Sequence, residues 1–181
     1  KDLSKRHSLY RIITLGTLNE RKGHIRLIRT INQLYKEGYN IELWILGDGP
    51  EKNKLNEFIK INNLNNNIKL LGFQNNPYPY IAVSDIYVCS SYAEGYNTAI
   101  TEALVLGKAV VSTECSGVKE QLGENNKYGI CVPNTEKGLY EGLKQMLNTS
   151  TLKYYTQKAQ ERGKDFNLEA SMNKIYQLIE S

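Results

Sequence analysis

"DIYVCSSYAEGYNTAITEALVLGKAVVST", residues 85–113, reads as strand, helix, strand. The run "DIYVCS" (85–90) is short and apolar, and Asn97 then stands as an N-cap before Thr98 to Leu106. In that helix Ala99, Ile100, Ala103 and Leu104 recur at the spacing of an inner face, and "KAVVST" (108–113) follows as a second apolar run. Apolar runs this short, without polar alternation, are strands covered on both faces.

The same alternation fills most of the chain. "YRIITLG" (10–16), "IELWILG" (41–47), "IKLLGF" (68–73) and "YGICVP" (128–133) are further strands of this kind. Between the first two, "GHIRLIRTINQLYKEG" places Ile25, Ile28, Ile31, Leu34 and Tyr35 at three- and four-residue steps. Arg26, Arg29 and Gln33 then point away from that stripe, as a solvated face. Repeated strand–helix–strand units build a parallel sheet through right-handed crossovers. The fold expected is therefore α/β, a doubly wound Rossmann-like parallel sheet of about six strands with helices on both faces. From about residue 136 to 181 the strands stop, and "EKGLYEGLKQML", "LKYYTQKAQERG" and "LEASMNKIYQLIE" read as three helices. The last two are expected to cap the sheet or reach to a neighbouring domain. "NNLNNN" (62–67) is a turn, since Asn tolerates left-handed backbone angles. "NPYPY" (76–80) is a stiffened turn that packs aromatics, and nothing supports a sugar-stacking role for Tyr78 or Tyr80.

The 181 residues, 40% hydrophobic and 23% charged, suffice for one domain, 1–181. The first residue is Lys1, which suggests a piece of a longer protein. No apolar run approaches the roughly 20 residues that span a bilayer. Three cysteines without C-x-x-C or Cys/His metal spacing argue against a zinc site or a disulfide framework and for reduced thiols. Charge is uneven: residues 1–29 carry +6 of a chain whose total is +4. A basic end on a near-neutral domain suits a phosphate ligand or a partner surface better than nucleic acid.

Ligands of an open parallel sheet sit at the carboxyl ends of its strands, so the strand exits hold the candidates. After the first strand, "GTLNERKGH" offers Gly16 for a tight exit and Lys22-Gly23 at the mouth of a helix, where amides and dipole favour an anion. The stretch equally fits a surface lysine beside a glycine cap, with His24 a surface histidine at the helix start. "GDGP" after the second strand is a sharp turn, with Pro50 opening the next helix. It fails as a dinucleotide fingerprint because Lys52 stands where the third glycine belongs. In "EGYNTAITE", Glu102 lies one turn beyond Thr98 on the same face. Its two oxygens suit the paired hydroxyls of a ribose. The "EGYN" turn offers amides to a diphosphate, and Glu94 can receive hydroxyls of a sugar beyond it. The alternative for Glu102 is a charge favoured near a helix N-terminus, and for Glu94 an exposed loop residue. The Ser and Gly of "CSGVKE" (115–120) border the same edge.

These stretches resemble the C-terminal, nucleotide-sugar-binding half of the family 4 retaining glycosyltransferases of GT-B fold. "GTLNERKG" is similar to the family's G-R-L-x-x-x-K-G, and "LWILGDGP" to its strand ending in G-x-G-P. "SSYAEGYNTAITEALVLGKAVVST" is similar to S-x-x-E-G-F-x-x-x-x-x-E-A-x-x-x-G-x-P-V-V, and "YGICVP" to G-x-x-V. The resemblance implies a UDP- or GDP-sugar donor, no required cofactor or metal, and retention at the anomeric carbon. It implies that Lys22 contacts the diphosphate, Glu102 the ribose, and Glu94 with Gly95, Tyr96, Asn97 and Thr98 the sugar and phosphates, with Lys22 and Glu94 the catalytic pair. Thr17 replaces the family's usual phosphate-binding arginine, a charge that Arg21 is expected to restore, and Asn97 replaces a common proline. The resemblance further implies a separate N-terminal acceptor-binding domain, without which this half transfers nothing. It also implies polysaccharide or glycolipid synthesis in the cytoplasm, with membrane contact only through the full-length enzyme. Two other readings remain: an NAD-dependent oxidoreductase domain, which lacks its fingerprint here, and a non-catalytic nucleotide-binding module.

Overall fold

In a computed structural model, residues 2–166, 177 and 179 are described. Six strands run in chain order: β1 Tyr10–Leu15, β2 Ile41–Leu46, β3 Ile68–Gly72, β4 Ile86–Cys89, β5 Ala109–Thr113 and β6 Ile130–Val132. They form one sheet in the order β3-β2-β1-β4-β5-β6, parallel throughout. The expected doubly wound sheet is thus observed. Its order reverses between β1 and β4, where Ile12 lies beside Ile86 and Ile13 beside Tyr87.

Alternate residues of each strand enter opposite cores. Ile12, Leu43, Ile45, Ile86, Val88, Val111 and Ile130 pack under one helical layer. That layer is α1 His24–Lys36, α2 Lys52–Ile61 and α6 Glu136–Met146. Ile13, Trp44, Leu46, Tyr87, Cys89 and Val110 pack under the other. There lie α3 Tyr78–Ala82, α4 Thr98–Val105, α5 Val118–Leu122 and α7 Thr149–Asp165. Burial on both faces is why the strands read as unbroken apolar runs. The expected stretch 152–163 lies inside α7, which packs on α4 and β5. The third expected helix, "LEASMNKIYQLIE", lies outside the described residues except for 177 and 179.

Several local expectations are corrected. Arg26 is not on a solvated face: it is buried at 1% exposure, whereas Tyr35, assigned inward, is 45% exposed. The first turn of α1 is covered on a second side by the exit of β4, whose Ser90 and Ser91 carbonyls accept from Arg26. His24 is likewise buried rather than on the surface. "NPYPY" enters a short helix, α3, because Pro77 and Pro79 occupy a cap and a first turn, where no amide donor is needed. Pro50 precedes α2 rather than opening it, since the cap is Glu51. The Asn-rich loop behaves as read, with Asn63 at φ 56°.

The basic N-terminal segment, residues 1–29, is not one patch. Arg11 is fully buried, its Nε donating to Glu42 Oε1 at 2.8 Å and its guanidinium 3.9 Å from the Trp44 ring. Its other nitrogens donate to the Leu3 and Lys5 carbonyls, tying the N-terminal segment across the sheet. Arg6 binds Asp85, and Arg29 pairs with Glu136. Lys22 meets Glu94 at the crevice opened by the reversal, and the Arg21 charge acts on the same carboxylate.

At that edge the exits of β1 and β2 touch backbone to backbone. Gly47 has φ 144°, and a Cβ placed on it would stand 1.9 Å from the Gly16 carbonyl oxygen. Gly47→Ala is expected to destabilise the domain by about 3 kcal/mol and lower its melting temperature by about 6–12 °C in a circular-dichroism melt. An unchanged melt would mean that the two exits are not in backbone contact.

Candidate functional site

The site is built where two strand exits meet across the reversal. Beyond Gly16, Leu18 turns into the core and the Asn19 side chain accepts from the Lys22 amide at 3.2 Å, capping a 3-10 turn over Glu20–Lys22. Gly23 follows at φ 64°, a left-handed angle that ends this turn and starts α1. The Lys22 side chain then runs back over the first exit: a Cβ on Gly16 would lie 3.0 Å from Lys22 Cε.

The Lys22 ammonium meets Glu94, with Nζ 2.5 Å from Oε1. The Ser91 hydroxyl donates to the same oxygen at 2.6 Å. Burial pushes the Glu94 carboxyl up, but hydrogen bonds from Lys22 and Ser91 and the charges of Lys22 and Arg21 outweigh it and hold Glu94 below the usual carboxylate range. Glu94 is therefore ionised at neutral pH and compensates the lysine charge.

The turn after Glu94 delivers the chain into α4. Gly95 and Tyr96 are exposed, and Asn97 is buried. Asn97 caps α4 as expected, its side-chain oxygen accepting from the Ala99 amide at 3.1 Å. Its Nδ2 donates to Cys89 Sγ, and its carbonyl accepts from Gln121 Nε2 at 2.7 Å. A Cβ on Gly117 would stand 3.5 Å from the Gly95 carbonyl oxygen, which puts the glycine of "CSGVKE" against this turn. Thr98 is exposed, while Glu102, one turn deeper, is half-buried and accepts from the Tyr78 hydroxyl at 3.3 Å. Burial raises the Glu102 pKa, opposed by that hydrogen bond.

Beside this corner lies a cleft of about 380 Å³, lined by Gly16, Thr17, Gly47, Asp48, Phe73 and Pro77 among others. Thr17 faces it at the surface, and Phe73 is 72% exposed there. Gly16 joins the cleft to Lys22, and Pro77 leads directly to Tyr78 and Glu102. The structure thus brings Gly16, Lys22 and Glu94 into contact, with Arg21 at the rim. Glu102 stands on the inner side with Tyr78. Sequence reasoning missed Tyr78, Ser90, Ser91 and Gln121, which are polar residues of loops and short helices with no periodic signal. Among the described residues, no group of three His, Cys, Asp or Glu side chains is arranged to hold a metal ion. No helix among them is long and apolar enough to cross a membrane.

Residues 1–164 match the family described as glycosyl transferases group 1. The chain belongs to this family. A relative from Campylobacter jejuni, the N-acetylgalactosamine-N,N'-diacetylbacillosaminyl-diphospho-undecaprenol 4-alpha-N-acetylgalactosaminyltransferase, is 37% identical over 86% of the chain and 42% of its own length. An uncharacterised glycosyltransferase of Methanocaldococcus jannaschii is 34% identical over 93% of the chain and 49% of its own. This group 1 chain therefore spans less than half the length of these two relatives. Among solved structures, the pneumococcal O-GlcNAc transferase in complex with UDP and GlcNAc superposes with a TM-score of 0.81 at 17% identity, over 96% of this chain and 37% of that one. The C-terminal domain of a group 1 family protein from Francisella tularensis gives 0.76 at 23% identity, over 87% and 86%. At these identities the superpositions establish the fold, which is one half of a GT-B arrangement.

The buried His24 beside Lys22 is expected to make the domain acid-sensitive. Burial first, and the Lys22 charge second, lower its pKa from 6.5 to about 4, with Glu51 opposing. Between those values the unfolded chain binds a proton that the folded chain refuses. The stability is complete above pH 6.5 and is lost as pH falls towards 4, on the order of 3 kcal/mol in all. His24→Leu is expected to flatten this part of the stability–pH curve measured by urea unfolding. An unaltered slope would assign the acid sensitivity to other groups.

Proposed function

We propose that this chain is the donor-binding half of a retaining glycosyltransferase, which moves a sugar from a UDP- or GDP-sugar to an acceptor hydroxyl in polysaccharide or glycolipid synthesis. The observation that carries the reading is the Lys22–Glu94 ion pair at the reversal of strand order, with Glu102 one helical turn deeper. In this reading the cleft at Phe73 and Pro77 receives the nucleoside and Glu102 receives the ribose hydroxyls. Lys22, helped at the rim by Arg21 where Thr17 brings no charge, receives the diphosphate. Glu94 and the Gly95–Thr98 turn receive the transferred sugar.

Charge dictates the mechanism. As the glycosidic bond breaks, negative charge grows on the departing diphosphate while the sugar becomes cationic. Lys22 and the amides at the start of α4 stabilise the first, and the ionised Glu94 lies beside the second. Groups preorganised for charge that is greatest in the transition state lower the barrier more than they tighten the bound donor. No metal or cofactor is required in this scheme. The acceptor-binding half is a separate domain, and this half alone is inactive. Support for a nucleotide-sugar ligand comes from family membership and from the UDP held by a protein of the same fold.

Calorimetry with UDP, GDP and NADH tests the reading. One of the two diphosphates is expected to bind, and NADH is not. NADH binding without either diphosphate would instead favour the oxidoreductase reading. Lys22→Ala and Glu102→Ala are each expected to weaken diphosphate binding about ten- to hundredfold, the loss of about 1.5–3 kcal/mol for one charge-assisted hydrogen bond, with melting unchanged. Full affinity in both variants would remove the site assignment.

A further inference from the structure

Arg26 stands apart from the other cations of the chain. It is buried at 1% exposure, and among the described residues no carboxylate forms an ion pair with it. Its Nε donates to the Ser90 carbonyl at 2.8 Å and its Nη2 to the Ser91 carbonyl at 2.6 Å. The guanidinium lies 3.7 Å from the centre of the Tyr92 ring, and Nη1 is buried without a partner. Burial lowers its pKa, which measures how poorly its charge is compensated. An apolar side chain at this place in α1 would avoid that desolvation, and buried charges are commonly no more stabilising than well-packed hydrophobes. Helix packing alone therefore does not account for an arginine here.

What the arginine grips explains it. The two carbonyls belong to the stretch that leaves β4, beyond its last sheet pairing at Cys89. That stretch holds Lys22 at both ends. The Ser90 hydroxyl donates to the Lys22 carbonyl at 2.9 Å, and the Tyr92 amide donates to the Arg21 carbonyl at 2.7 Å. The Ser91 hydroxyl binds Glu94, which binds the Lys22 ammonium. Thr113 of β5 adds a second donor to the Ser91 carbonyl at 2.7 Å. Gly23 makes room for the clamp: a Cβ there would stand 2.2 Å from the Ser90 carbonyl oxygen and 2.8 Å from Arg26 Nε.

We propose that Arg26 is a positioning residue of the donor site: it fixes the Ser90–Tyr92 exit so that Ser90 and Glu94 hold Lys22 in the geometry that receives a diphosphate. This rests on reading that corner as the donor site. Arg26 touches no ligand in this scheme and acts through Lys22, so its effect is expected to vanish when Lys22 is absent.

The test is calorimetry with UDP and GDP on the 181-residue chain, well below the melting transition of every variant. Arg26→Met is expected to weaken binding of the preferred diphosphate about tenfold, and Arg26→Lys, which keeps the charge and one donor direction, about threefold. In a Lys22→Ala background, Arg26→Met is expected to change affinity by less than about twofold. If the methionine variant does not fold, the lysine variant is read alone and in the same background. Parental affinity in the folded Arg26 variant, or losses that multiply with that of Lys22→Ala, overturns the proposal while leaving the donor site standing. A parent chain that binds neither diphosphate overturns the donor-site reading and this proposal together.

Discussion

The lateral pairing of β1 with β4 is the constraint on which the rest of the molecule depends. It brings Lys22 and Glu94, 72 residues apart in sequence, to one point. Neither residue is positioned by its own neighbours alone. The first sits on a capped 3-10 turn that must leave β1 over a glycine, and the second on a loop that must leave β4 beside it. Because β1 and β4 flank the reversal, the chain leaving β1 turns to the face covered by α1 and the chain leaving β4 to the face covered by α4, so a crevice opens between the two exits. The crevice is thus a consequence of topology, and the ion pair a consequence of the crevice.

Buried charge is handled in two ways on either side of that crevice. Arg11 is fully matched: a carboxylate, two carbonyls and the Trp44 face surround it, and Glu42 is itself held by the Trp44 indole nitrogen. It lies towards the amino end of the sheet, where it serves to pin the N-terminal segment. Arg26 lies near the carboxyl edge and has carbonyls and a ring but no anion. His24, adjacent to Lys22, is kept neutral by burial and has a ring nitrogen without a partner. Incompletely compensated polar groups are expensive in a low-dielectric interior, and Arg26 and His24 both lie beside the turn that carries Lys22.

Much of this could be read in the residues. The six strands were visible as apolar runs because both faces of the sheet are covered, and Asn97 announced α4 because a cap has a chemical requirement that few side chains meet. Lys22, Glu94 and Glu102 could be nominated because strand exits are few and carry short, distinctive stretches, and the structure puts the first two in contact and the third beside Tyr78. Arg26 and His24 were misread for a definite reason. Helical periodicity assumes a single buried face, and the first turn of α1 has two, because the exit of β4 lies across it. Tyr78 was hidden differently: a segment with two prolines looks like a turn, yet both prolines stand where a short helix tolerates them. Long-range contact, not local propensity, decided each of these.

The neutrality of the Lys22–Glu94 pair bears on how a donor would be selected. With the ammonium already satisfied by a carboxylate, a bare phosphate arriving at this corner competes with Glu94 for the same cation. Sugar hydroxyls can relieve the competition, because they donate to a carboxylate and so take up the oxygen that Lys22 now occupies. On the donor-site reading, recognition of the sugar by Glu94 and of the diphosphate by Lys22 are then one event rather than two. The lysine turns to the leaving group when the carboxylate is engaged by the group being transferred. On the donor-site reading a bare diphosphate still gains from Lys22, and a nucleotide sugar gains more, because its sugar also engages the carboxylate that the lysine leaves.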